Sequence, residues 1–211
     1  MAKSWFFPDY DEFMVKELGD DGRYQAKNLD FALNLVTDWT LAIDGGAHVG
    51  TWARVMAGRF VQVIAAEPAA DTYEALVENM RQFGCTNVET RQIGLGEKAG
   101  RAGMTIDDRG AALFNSGSRF LAPGDAVAVE TIDSWNLPTL GFLKLDVEGS
   151  EQAALLGARE TLQRCKPIVL FEDKGLWKRF GYGRQAPQSL LTELGFVLVA
   201  RVSMDQIWRP R

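Results

Sequence analysis

The most constraining feature of this chain is the octapeptide Ile43-Asp44-Gly45-Gly46-Ala47-His48-Val49-Gly50 together with its flanks. An apolar run from Trp39 to Ile43 leads into it and reads as a buried parallel strand. Thr51 to Arg59 follow it with the pattern of a helix. A second apolar run, Val61 to Ala66, ends in Glu67-Pro68. Strand, glycine turn, helix, strand and terminal acid form the plan of an α/β nucleotide or nucleoside pocket. The glycines let a ligand approach bare backbone at the mouth of the first strand. Glu67, 23 residues after Asp44, stands where a carboxylate accepts hydrogen bonds from both hydroxyls of a ribose.

The alternation continues. A helix is expected over about 69–83, with Asp71 and Glu74 in its first turns, where acids suit the macrodipole, and with Gly84 as its stop. A third strand follows at about 87–93, then a glycine-rich stretch, 95–130, with short β-like pieces at 101–106 and 125–130. Phe142 to Val147 reads as a fourth strand, and Ser150 to Cys165 as one helix capped by Ser150 and ended by Lys166-Pro167. Ile168 to Phe171 is a fifth strand. A helix over 187–194 and a closing hairpin of 197–200 with 206–208 complete the chain. The pattern predicts a mainly parallel sheet with helices on both faces and an antiparallel edge. Residues 9–38 read as a helical extension, broken at Gly19-Asp20-Asp21-Gly22, that covers the pocket or a sheet edge; 39–211 form the ligand-binding domain.

Composition narrows the function. With 211 residues, 46% hydrophobic and 24% charged, the chain is ordinary for a globular domain. A net charge of -5 without a basic block argues against a nucleic-acid partner. The best basic stretch, Lys174 to Arg179, reads as a solvated loop. No apolar run is long enough for a membrane span, and the first residues do not form a signal peptide. Two distant cysteines, Cys85 and Cys165, read as reduced thiols, which fits a cytoplasmic setting.

The glycine turn discriminates between cofactors. A dinucleotide fingerprint needs glycine where Ala47 stands, and no Gly-Lys-Ser/Thr follows for a P-loop. Asp44-x-Gly46-x-x-x-Gly50 with an acid ending the second strand suits S-adenosylmethionine, which has no pyrophosphate to cradle. A second constellation, Phe142-Leu143-Lys144-Leu145-Asp146-Val147-Glu148-Gly149-Ser150-Glu151, places Lys144, Asp146 and Glu148 at alternate positions, hence on one face of an extended strand. Such groups at the carboxyl end of a central strand are costly to bury unless paired or used.

IDGGAHVG, AAEP and LKLDVEGSEQAALLGA together resemble the FkbM family of S-adenosylmethionine-dependent methyltransferases over about residues 40–172. The resemblance implies a class I methyltransferase (Rossmann-like) fold and O-methylation of a sugar, glycan or small metabolite. Carried over by position, Asp44, Gly46, Ala47 and Gly50 line the methionine end of the cofactor, Glu67 binds the ribose with Pro68 beside it, and Ile93 with Gly94 lie near the adenine.

Asp146 and Glu148 then face the methyl acceptor, where a carboxylate helps remove the hydroxyl proton, and Lys144 holds these acids by pairing. His48, the only histidine, is expected to contact cofactor or substrate, with a general-base role as the bolder alternative. Glu172 and Trp177 are candidate substrate contacts. Asp146, Glu172 and Asp173 form an oxygen-rich but weakly supported divalent-cation set. Asn115-Ser116-Gly117-Ser118 reads as a polar loop closing over the site. Two rivals stay open: a nucleic-acid methyltransferase, which would want a basic face, and a non-catalytic cofactor-binding module.

Overall fold

A computed structural model describes residues 4–18, 22–106 and 116–211. Its main sheet has seven strands in the order β3-β2-β1-β7-β8-β10-β9. Here β1 is Leu41–Gly45, β2 Gln62–Ala66, β3 Val88–Arg91, β7 Phe142–Leu145, β8 Ile168–Glu172, β9 Phe196–Val202 and β10 Asp205–Pro210. The pairs from β3 through β8 are parallel, and β10 runs antiparallel to both β8 and β9. The expected parallel sheet with an antiparallel terminal hairpin is therefore present.

The apolar runs are continuous because both faces of the sheet are covered. Ile43, Ile64, Leu143, Val169 and Phe171 pack on one side with Leu155, Leu162, Leu190 and Leu191. These last four come from α5 (Glu151–Leu156), α6 (Arg159–Cys165) and α7 (Ala186–Glu193). Ala42, Val63, Phe142, Ile168 and Leu170 point the other way, onto Leu29, Trp52, Met56, Leu76 and Met80. Those residues come from α2 (Ala26–Leu33), α3 (Thr51–Ala57) and α4 (Ala70–Phe83). Gly84, with φ 71°, ends α4 in the left-handed conformation, as its position predicts.

The extension holds two short helices, α1 (Glu12–Glu17) and α2, on either side of the expected break. Local readings needed correction in three places. The helix expected over 150–165 is two. Gly157 presses against Gly96, where a Cβ would meet the Gly96 carbonyl oxygen at 2.0 Å, and Asp133 accepts from the Glu160 and Thr161 amides at 3.0 and 2.8 Å to start α6 afresh. Ser150 does not cap α5; its hydroxyl donates to the Val147 carbonyl, and Glu151 accepts from the Val147 and Gly149 amides. The β-like pieces expected at 101–106 and 125–130 are present but longer among the described residues, since β4 (Gly94–Leu95), β5 (Gly100–Ile106) and β6 (Arg119–Glu130) form a second sheet of three strands.

The amino-terminal segment is tied down at the carboxyl ends of the central strands. Asn79 of α4 exchanges hydrogen bonds with the Phe6 backbone at 2.7 and 2.8 Å and donates to the Val49 carbonyl at 2.9 Å. Tyr10 donates to Asp71 at 2.5 Å, and Arg119 of β6 binds both. This places α1 over the glycine turn. No helix among the described residues is long and apolar enough to cross a membrane.

Candidate active site

The turn after β1 is shaped by close approach. Gly46 has φ 71°, and a Cβ there would lie 1.8 Å from the Asp146 carbonyl oxygen, so only glycine fits. The amides of Gly46 and Ala47 both donate to the Ala66 carbonyl, at 3.0 and 2.9 Å, and the Asp146 amide donates to Gly45 at 3.0 Å. The tips of β1, β2 and β7 are thereby bound into one rim. His48 sits in the turn with φ 53°.

Glu67 ends β2 at this rim. Its two carboxylate oxygens accept from the His48 amide at 2.9 Å and the Ala69 amide at 3.0 Å, leaving lone pairs on both. Burial pushes its pKa up to about 7, although the two backbone donors pull the other way.

Beneath the turn, Asp44 is fully buried and pairs with Lys144 of β7 at 3.0 Å. Lys144 also donates to the carbonyls of Gly46 and Gly45, at 2.7 and 3.3 Å. Strand β7 ends at Leu145, and the chain turns through Glu148 (φ 52°) and Gly149 (φ 104°). Lys144, Asp146 and Glu148 therefore do not stand on one strand face, and the partner of Lys144 is Asp44.

The cation among the acids is Lys174. Its ammonium lies 2.6 Å from Glu172, 2.8 Å from Glu148 and 4.0 Å from Asp146. These three carboxylates offer oxygens within 4.8 Å of one another. Burial holds the Glu172 pKa above the usual carboxylate range, helped by the adjacent Asp146 charge and by the hydrogen bond between the two carboxyl groups. Burial works against charge on Asp146 as well, but Lys144 and Lys174 outweigh it and hold its pKa below the usual range. Asp173 stands apart, accepting from Gln188 and Gln206 at 3.2 and 2.7 Å.

These groups surround a cavity of about 350 Å³. Of the residues singled out from sequence, Gly46, Ala47, His48, Glu67, Pro68, Ile93, Gly94, Lys144, Asp146, Glu148 and Glu172 line it. Asp44 lies beneath it, and Gly50, Trp177 and Asp173 are not among its walls. Ser116 and Gly117 line it too, whereas Asn115 lies outside the described residues.

The extension, expected to cover the pocket or a sheet edge, supplies Phe13 and Met14 of α1, Tyr24, and Asn28 of α2 to the cavity walls, whereas Arg119 of β6 and Asp205 of β10 are walls that sequence reasoning missed. Nothing local in the sequence marks these. For Lys174 a signal existed, because Glu172-x-Lys174 at the end of a strand points two side chains the same way.

The chain is 26% identical over 133 residues to the hexuronic acid methyltransferase AglP of Haloferax volcanii, covering 60% of this chain and 53% of that protein. The chain thus spans about half the length of this curated relative. The fold is similar to the crystal structure of methyltransferase FkbM from Methylobacillus flagellatus, with a TM-score of 0.57, 16% identity and coverage of 94% of this chain and 57% of that one. It is also similar to a putative methyltransferase from Streptococcus mutans in complex with SAH, with a TM-score of 0.51, 10% identity and coverage of 87% and 96%. The model of the methyltransferase FkbM domain matches residues 44–198, from the acid beneath the glycine turn to the middle of β9, and the chain accordingly belongs to the FkbM methyltransferase family.

Proposed function

We propose that this chain transfers a methyl group from S-adenosylmethionine to a hydroxyl of a sugar, glycan or small metabolite. The observation that carries the reading is Glu67: a buried carboxylate at the tip of β2, facing the cavity beside the bare-backbone turn at Gly46-Ala47, with acceptor capacity left on both oxygens. Those are the groups that a ribose and an amino-acid tail require. In this reading residues 39–211 are the catalytic domain, and 1–38 form an extension whose Phe13, Met14 and Tyr24 enclose the cavity.

Bound there, the cofactor supplies an electrophilic methyl group on a sulfonium. The chain's own residues do the rest by holding the acceptor oxygen in line and excluding water. Asp146, kept ionised by Lys144 and Lys174, stands ready to receive the hydroxyl proton. Similarity to a hexuronic acid methyltransferase points to a sugar as the acceptor class.

Calorimetric titration with S-adenosylhomocysteine tests the cofactor, and incubation with methyl-labelled S-adenosylmethionine and a panel of uronic acids, neutral hexoses and their glycosides tests the acceptor. Binding with label in a methyl ether supports the reading. Absence of binding overturns it, and label in a nucleic acid would overturn its acceptor class.

A further inference from the structure

The sole histidine belongs to a buried chain of hydrogen bonds that reaches outside the family-matched region. His48 Nε2 lies 2.5 Å from the Ser116 hydroxyl, and that hydroxyl donates to Asp11 Oδ2. Asp11 is 1% exposed and Ser116 3%. The other oxygen of Asp11 accepts from the Met14 amide at 3.0 Å and starts α1. Three separate pieces of the chain therefore meet at one point: the extension, the entry to β6 and the glycine turn.

The direction of the protons follows from donor and acceptor capacity. A carboxylate only accepts, and a serine hydroxyl has a single proton to give. That proton goes to Asp11, so the contact between Ser116 and His48 requires the proton to be on Nε2 of the ring. Nδ1 is then a bare lone pair, and no described residue hydrogen-bonds it, while His48 itself lines the cavity.

We propose that Asp11 and Ser116 are positioning residues that hold His48 as its Nε2–H tautomer and so present Nδ1 to the cavity as a hydrogen-bond acceptor. Its natural donor is a hydroxyl of the bound acceptor beside the one that gives its proton to Asp146; this use rests on the methyl-transfer reading, whereas the tautomer does not. Charged groups press on the ring from every side: Asp11 from the extension, Arg119 from β6, and Lys144 and Asp146 from β7 and its following turn. Burial outweighs the acids and pushes the His48 pKa down to about 4, which keeps Nδ1 unprotonated in the neutral range.

Because the protein has one histidine, long-range nitrogen–proton NMR of the 15N-labelled chain reads this ring without assignment. The expected wild-type spectrum has a pyrrole-type Nε2 and a pyridine-type Nδ1, unchanged down to about pH 6, where an exposed ring is already mostly protonated. It also has an Nε2-bound proton in slow exchange with water. Ser116→Ala should lose the slow proton, and Ser116→Thr, which keeps the hydroxyl, should retain it. A wild-type Nδ1–H tautomer, a ring protonated at pH 7, or a slow proton that survives Ser116→Ala would each overturn the proposal. The wild-type spectrum decides the tautomer even if a variant does not fold. Titration with S-adenosylhomocysteine in the same sample reports separately on the cofactor reading.

Discussion

Lys144 Nζ lies 3.0 Å from Asp44 Oδ1 and donates at 2.7 Å to the Gly46 carbonyl, so one buried ion pair supports the glycine turn from below. Neither group can be removed cheaply, because its partner would remain as an isolated charge in the interior. Lys144→Met and Asp44→Leu should each destabilise the fold by about 3–5 kcal/mol. The double replacement should recover much of that loss. Urea denaturation of the three variants measures the coupling, and additive losses would show that the pair is not the source.

If Glu67 holds the cofactor's ribose as proposed, it should link cofactor affinity to pH. Ribose hydroxyls donating to its carboxylate favour the charged form, so binding lowers a pKa that burial holds at about 7 in the free protein. Below that value the ligand must displace a proton. Affinity for S-adenosylhomocysteine should be nearly flat above pH 8 and fall by about tenfold by pH 6. Glu67→Gln should bind at least about tenfold more weakly and lose this dependence. Calorimetry at several pH values checks both, and an unaltered pH profile in the variant would refute the ribose contact.

Gly46 is the point where the turn touches the tail of β7. In Gly46→Ala the added methyl meets backbone at 1.8 Å, not the end of a flexible side chain, and the left-handed φ of 71° adds strain. The turn must move, and the Asp146 carbonyl with it. The expected outcome is loss of cofactor binding together with a drop in melting temperature. Gly84→Ala, also left-handed but with open space around it, should lower the melting temperature modestly and leave binding intact.

Lys174 is the countercharge for Asp146, Glu148 and Glu172. Burial already raises Glu148 and Glu172, and a raised folded-state pKa contributes stability below the unfolded value that disappears as pH rises through the folded one. Lys174→Met should raise these pKa values further. Its destabilisation, about 1–3 kcal/mol at pH 8 after allowing for partial exposure of the lysine, should shrink towards pH 5. Thermal melts across that range check the sign, and a variant that loses more stability at pH 5 than at pH 8 would contradict it.

The plan of the main sheet, and the meeting of Gly46 with Glu67, were legible in the residue order. Continuous apolar runs separated by helical segments force a parallel sheet covered on both faces, and short-range spacing places Gly46 and Glu67 at neighbouring strand ends. Local spacing also misled. Lys144, Asp146 and Glu148 look like one strand face, yet β7 ends at Leu145, and the two acids reach the cavity they share with Lys144 from the turn that follows the strand.

Which charges pair was decided only in three dimensions. Lys144 meets Asp44 across adjacent strands, and Lys174 reaches Glu148 and Asp146 from the strand next door. The Asp11–Ser116–His48 chain joins residues more than a hundred positions apart through Ser116 and Asp11. Periodicity carries information over one helix or strand, because it reflects which side of that element is buried. A buried charge finds its partner through the packing of distant elements, where the cost of leaving it unpaired is felt only once the core has closed.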